Sequence, residues 1–334
     1  MKNIWRPKLC ALLITALALL ATASVAPAAA QAWPSKRVTL VIPFPPGNTA
    51  DLVARVMQPS LSQALGVPVI VDNKPGAGGN LAAQFVARAE KDGHTLLLTS
   101  LSPLVINPAI FRNPGFDAER DFAAVAGIGT IPMVLITRKD FPASDLMGFV
   151  GHIKANASQV TYASVGNGTF THLGMELFTR GLGVKLTHVP YKGAGAAHQD
   201  LQGGRVDFMF DSLASSNAQI KANRVNALAT TGNGRSPFLM SVPAVSESAG
   251  VPLKDFQVTV YTGLFAPAGT PEAVVLRLNG EVGKLLRSTE FRAQLAGQFI
   301  RAADPAPPAS FAAIVSAERK RWSTLARDIQ LEPQ

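Results

Sequence analysis

The sequence predicts an α/β fold divided into two lobes with a ligand cleft between them. Two observations carry this reading. From Val38 onward, short apolar segments alternate with amphipathic ones, the pattern of a mostly parallel sheet covered by helices. Two strand-like segments containing glycine, Gly127–Pro132 and Tyr261–Phe265, bracket a central block of about 130 residues. Read as two crossings, they put the N- and C-terminal parts in one lobe, 33–130 with 260–334, and the centre, 131–259, in the other. The crossings would then be the hinge.

The elements follow in order. Val38–Ile42 reads as a strand, ended by the turn Pro43-Phe44-Pro45-Pro46-Gly47-Asn48. A helix follows with Leu52, Val53, Val56, Leu61 and Leu65 on one side. Asn48 or Thr49 is its N-cap, and Asp51 in the first turn complements the dipole, as a capping acid rather than a ligand contact. A strand at Val67–Val71, the turn Pro75–Asn80 (read as structural), a helix to about Ala89 and a strand at Thr95–Thr99 come next.

The alternation resumes with a strand at Met133–Thr137, a helix capped by Ser144 and running to about Ala155, and a strand at Val160–Ala163. Beyond the loop Ser164–Thr169 lie a helix to about Thr179, a strand at Lys185–Val189 and a turn at Tyr191–Gly193 before another helix. Strands at Val206–Phe210, Val225–Thr230 and Val258–Ala266 follow. Thr270-Pro271-Glu272 opens a helix with a cap, proline at the first position and an early acid. The last helix, about Ala309 to Asp328, is expected to turn Phe311, Ile314 and Trp322 inward.

The N-terminus reads as a secretory signal peptide, residues 1–32. Lys2, Arg6 and Lys8 precede an apolar run from Leu9 to about Leu20, and A-x-A patterns predict cleavage after Ala30 or Ala32. That run falls short of the roughly 20 residues of a membrane span. Cys10, the only cysteine, precedes the apolar run, whereas a lipid-modified cysteine would follow it. The mature chain of about 302 residues therefore has no cysteine for a disulfide or thiol catalysis, and is long enough for two domains. Its leader contributes three of the formal net charges of +9, leaving +6. The charge is spread, with no Lys/Arg block, which argues against nucleic-acid binding.

In open α/β sheets a ligand sits beyond the carboxyl ends of the strands. Candidate contacts are therefore Phe44, Gly47, Asn48 and Thr49 in the first loop, Ser100 and Ser102 after the Thr95–Thr99 strand, and Ser164, Gly166, Asn167, Gly168 and Thr169 in the glycine loop. The N–H groups of Gly166–Thr169 could converge on an anion at a helix start, although such glycine turns also serve the backbone alone. Asp211 could meet a ligand amine or satisfy nearby backbone donors. His172 could face the cleft or be structural, and Tyr191 and Lys192 could reach an anion or pack a lobe edge.

Enzyme signatures are missing. There is no G-x-S-x-G, Walker A or full G-x-G-x-x-G, and the five histidines form no HExxH or i,i+4 pair. No cofactor, metal or catalytic residue is expected. A Ser/His/Asp triad assembled in space stays open.

Several stretches closely resemble the Bug family, the extracytoplasmic substrate-binding receptors of tripartite tricarboxylate transporters. They include Trp33–Lys36, Val41–Gly47, Asp51, Val71–Asn80 and Asp92–Leu97. Tyr162–Thr169, His188–Gly193, Leu201–Asp207 and Gly263–Pro271 extend the likeness across the mature chain in the right order. The resemblance implies a periplasmic-binding-protein fold of type II-like form with two crossover strands, a periplasmic location, and a monomer. It also implies a cleft that holds a ligand carboxylate between loops of opposing lobes. Integral membrane transporter subunits would be the partner. A ligand sensor presenting its closed form to a signalling protein uses the same site, and a secreted hydrolase is the remote alternative. One departure is Asn48, which stands where the family has a second glycine; its amide could enter the pocket and alter selectivity.

Overall fold

The computed structural model describes residues 33–328, apart from positions 233, 249, 252, 254 and 255. The expected signal peptide lies outside the described residues. The unit that begins at Lys36 carries the fold.

Its first part runs β1 (Val38–Ile42), α1 (Thr49–Leu65), β2 (Val69–Asn73), α2 (Asn80–Ala87), β3 (Thr95–Ser100) and the short helices α3 (Ser102–Val105) and α4 (Asn107–Ile110). The middle holds β4 (Phe122–Arg138), α5 (Leu146–Ala155), β5 (Thr161–Ser164), α6 (Phe170–Gly181), β6 (Thr187–Pro190), α7 (Ala194–Gln202), β7 (Phe208–Ser212), α8 (Leu213–Lys221) and β8 (Val225–Thr230). The end holds β9 (Thr259–Pro267), α9 (Glu272–Arg287), α10 (Thr289–Gly297), β10 (Arg301–Ala302) and α11 (Pro308–Asp328).

The fold is the two-lobed α/β architecture of periplasmic binding proteins, with strand order β2-β1-β3-β9-β4-β7-β5-β6. β8 and β10 also pair with β4. β1 pairs in parallel with β2 and β3, and β5 with β6 and β7. Around β4 and β9 every pairing is antiparallel, so the sheet is less uniformly parallel than the sequence suggests. The cause is connectivity: β4 leaves the first lobe and β9 returns to it, so the two run in opposite directions. β4 is one 17-residue strand shared by both lobes. Phe122–Pro132 pairs with β9, and Met133–Arg138 with β7 and β8.

The glycines of the crossing strands have a packing cause. A Cβ on Gly263 would lie 2.0 Å from the Phe311 ring, and one on Gly127 would lie 2.9 Å from it. The phenyl group of α11 thus occupies a socket that any side chain would fill. Phe311 and Trp322 are buried as expected, whereas Ile314 is 40% exposed. At about 100° per residue, Phe311, Val315, Trp322 and Ala326 share one face, and Ile314 falls outside it. Among the described residues no helix is long and apolar enough to cross a membrane.

Candidate functional site

The carboxyl ends of β1, β3, β5 and β7 converge on one small cavity. It is lined by Phe44, Asn48, Thr49, Ser100 and Ser102 from the first lobe, and by Val165, Thr169, Phe170, Thr171, Asp211 and Ser212 from the second. Met133 of β4 and Val260 of β9 form its floor. The cavity has a volume of about 30 Å³, room for about two water-sized groups. No lysine or arginine is among its lining residues.

The first loop is built by α1. Asn48 is the N-cap, its Oδ1 accepting from Ala50 N at 3.4 Å. Its backbone is ordinary extended (φ −74°, ψ 159°), and Gly47 carries the left-handed angle at φ 83°. Asparagine therefore replaces a second glycine without strain, and its Nδ2 is the group left for the cavity. Asp51 is buried and holds the turn from below, accepting from Gly47 N at 2.9 Å, Arg55 Nε at 2.8 Å and Asn73 Nδ2 at 3.0 Å. Asn73 also donates to the Phe44 carbonyl at 2.9 Å. Gly47 lies on the outer side of the turn, in a separate cavity with Lys192 and His198.

The lobes touch across the cavity. Thr49 Oγ1 donates to Ser212 Oγ at 2.7 Å. Beyond it, a Cβ on Gly78 would meet the Asn167 carbonyl oxygen at 2.5 Å, and one on Gly193 would meet Pro45 Cγ at 3.2 Å. Ser100 and Ser102 place their hydroxyls 3.4 Å apart on the first-lobe wall.

The glycine loop is arranged differently from the expectation. Gly166 N donates to Ser164 Oγ at 3.2 Å, Gly168 N to His172 Nδ1 at 3.3 Å and Thr169 N to the Gly166 carbonyl at 3.3 Å. Those three N–H groups are spent inside the loop. Phe170 and Thr171, one step downstream, open α6, where backbone N–H groups lack an intrahelical acceptor, and both residues line the cavity. Thr171 Oγ1 shares a 2.8 Å hydrogen bond with Thr169 Oγ1 and accepts from Val165 N at 3.0 Å.

Besides Gly47, seven candidates do not line the cavity, and three of these are buried away from it. Ser164 is fully buried, its hydroxyl 2.7 Å from His188 Nε2. Although that is a serine–histidine pair at nucleophile–base distance, the hydroxyl is sealed from any substrate. Gly168 (φ 75°) lies against the first lobe, where a Cβ would meet Asn107 Oδ1 at 2.4 Å and Ile110 Cδ1 at 2.7 Å. His172 is buried and stacks on His188, ring centroids 4.1 Å apart, with Tyr162 stacked on the far side of His188 at 4.8 Å. Burial lowers the His172 pKa to about 4. Burial, reinforced by the His172 charge, lowers that of His188 to about 3. Both rings are therefore neutral at neutral pH, and the column props the loop. Gly166, Asn167, Tyr191 and Lys192 line an outer cavity of about 780 Å³ at the mouth, opposite the Pro75–Gly79 turn. Tyr191 is anchored there by donating to Asp200 Oδ2 at 2.8 Å.

Asp211 reaches the cavity wall with its acceptors in use. Ser212 N donates to Oδ1 at 2.7 Å, while Ser216 Oγ at 2.9 Å and the Ser215 hydroxyl donate to Oδ2, which also faces His198 Nε2 at 2.8 Å. A carboxylate offers about four such positions, so Asp211 fixes Ser212 rather than waiting for an amine. Ser212, Thr171 and Phe170 are site residues beyond the sequence candidates. Ser212 directly follows a flagged acid, and Phe170 and Thr171 are the first two residues of a helix whose start was legible.

A two-lobed scaffold with a donor-lined interlobe cavity defines a solute-binding protein of the periplasmic type. The chain belongs to the tripartite tricarboxylate transporter family receptors (TctC), whose pattern it matches over residues 53–331. It is 38% identical over 300 residues to the UPF0065 protein in the tcbD-tcbE intergenic region of Pseudomonas sp. (strain P51), covering 90% of this chain and 88% of the other. Among solved structures it is similar to R. palustris Rpa4515 with adipate (TM-score 0.86, 32% identity, 90% of this chain and 100% of that one). It is also similar to the periplasmic binding protein BugD (0.84, 32%, 90% and 100%). MatC (Rpa3494) from Rhodopseudomonas palustris with bound malate gives 0.81 and 35%, over 88% and 99%.

Proposed function

We propose that this chain is an exported receptor that captures a small carboxylate-containing molecule between its lobes and hands it to the membrane subunits of a tripartite tricarboxylate-type transporter. The reading takes residues 1–32 as a cleaved signal peptide, the periplasm as its place of work, and a monomer as the working form. The lobes, 33–130 with 260–334 against 131–259, part and close about the crossings of β4 and β9.

One observation carries the ligand class. Phe170 and Thr171, at the start of α6, share a cavity with Ser100, Ser102, Ser212 and Asn48. Neutral donors from two lobes can coordinate a carboxylate without burying a counter-ion. Closure removes water and strengthens those bonds. Capture shifts an open–closed equilibrium, and the closed form is what a membrane partner reads. The adipate and malate bound by its structural neighbours support a carboxylate here.

Native mass spectrometry of protein purified without added ligand tests this, followed by thermal-shift screening of organic acids. The expected result is a monomer that carries or is stabilised by a small organic acid. Stabilisation only by sugars or amines, or turnover of an ester substrate, would overturn the reading.

A further inference from the structure

A second cavity, of about 450 Å³, shares no lining residue with the cleft. That volume is in the range of about 300–1,000 Å³ typical of small-molecule sites. Thr130–Pro132 of β4 and Val258, Thr259 and Tyr261 of β9 contribute to it, so both crossing strands border it. One wall comes from the second lobe, with Gly232 and Gly234–Phe238. The other is Arg301–Asp304 of the first lobe.

The charges around it are unequal in their commitments. Arg235 is engaged: Nη1 donates to the Met240 carbonyl at 2.9 Å, and Nε lies 3.5 Å from Glu247. Asp304 is paired with Arg292 at 3.6 Å. Arg301 uses its backbone in the β10–β4 ladder, and its exposed guanidinium has no ion-pair partner among the described residues. Beside this cation the cavity offers an aromatic surface. The Phe238 ring is held edge-on against Phe299, centroids 5.9 Å apart at 83°. Phe299 itself stands in the left-handed region (φ 61°) and packs into the apolar cluster of the second lobe, although it belongs to the chain of the first.

We infer that this cavity behind the crossings is a second binding site, for a small aromatic carboxylate. The carboxylate pairs with the Arg301 guanidinium, which is suited to a two-pronged hydrogen bond, and the ring lies against Phe238 and Pro132. Thr130 adds a hydroxyl at the edge. An occupant touches both crossings and a wall from each lobe, so it is placed to bias opening without entering the cleft.

4-Iodobenzoate tests the inference with the whole mature protein. Crystals soaked in it are expected to show the anomalous iodine signal between Phe238 and Arg301. In solution, calorimetry is expected to show binding that Arg301→Glu weakens by at least about tenfold and that Arg301→Lys, which keeps the charge but loses the two-pronged geometry, weakens by a smaller factor. Arg301 is exposed, so neither variant challenges folding. Iodine located in the cleft, affinity unchanged in Arg301→Glu, or a crystal signal with no binding in solution would each overturn the assignment.

Discussion

Thr49 and Ser212, 163 residues apart, share a buried 2.7 Å hydrogen bond that joins the first turn of α1 to the end of β7. Because each residue belongs to a different lobe, the bond forms only when the lobes meet. A net hydrogen bond is worth about 0.5–1.5 kcal/mol. Thr49→Val should therefore weaken ligand binding by about threefold to tenfold, as measured by calorimetry. X-ray scattering of the unliganded variant should show an equal or larger radius of gyration. Unaltered affinity would mean that this contact plays no part in closure.

Gly168 makes a second meeting point, and its substitution acts on packing rather than on anion donors. A side chain there meets Asn107 and Ile110 within 2.7 Å at a backbone angle of φ 75°. Gly168→Val should lower affinity by more than about tenfold. Gly151 in α5 has open space where its Cβ would be. Gly151→Ala should leave affinity alone and stabilise the fold by about 0.5–1 kcal/mol.

Asp211 organises the serine wall. Asp211→Asn replaces an acceptor with a donor in a place already crowded with donors, leaving buried groups unmatched. The expected cost is about 2 kcal/mol, read as a fall in Tm of about 5 °C, with weaker ligand binding because Ser212 loses its position. A variant as stable as the parent would show that the four contacts contribute nothing.

The His172–His188 column predicts acid sensitivity. Each histidine binds a proton less readily folded, with pKa near 4 and near 3, than at its ordinary value of 6.5. Below pH 6.5 the unfolded chain takes up protons that the native state refuses. Stability is therefore full above about pH 6.5 and falls as pH drops toward 4 and then 3, by about 1.4 kcal/mol for each unit of depression. Thermal melts from pH 7.5 to 4 should show this decline. It should be shallower in His172→Gln, which removes one of the titrating rings.

Much of this was legible from residue order alone. β1 and β8 fall where the apolar runs place them, because a run bounded by turn residues leaves little freedom of register. The N-terminal half of β4 was harder. Phe122–Ala126 is a string of small residues, and register shifts interrupt its pairing with β9 at Val125 and Ile128, so no period of two survives. In the site, the loops that supply the cleft could be read from strand ends. Which N–H of the glycine loop stays free could not, since that depends on His172 and Ser164 folding back as acceptors. Ile314 shows the same limit in miniature: apolar identity does not say which way a helix is rotated.

The Phe311 ring lodged against Gly127 and Gly263 has a mechanical consequence. Glycine in a connecting strand suggests suppleness, yet these two are bolted by a phenyl group and cannot flex without expelling it. If the lobes part as proposed, the bending falls instead at Pro132–Met133 and Val258–Thr259. Those positions adjoin Met133 and Val260, the floor of the cavity. A solute resting there sits on the axle, where displacement is smallest. The leverage that tells a snug solute from a poor one must come from the rim, at Thr49, Ser212 and the start of α6.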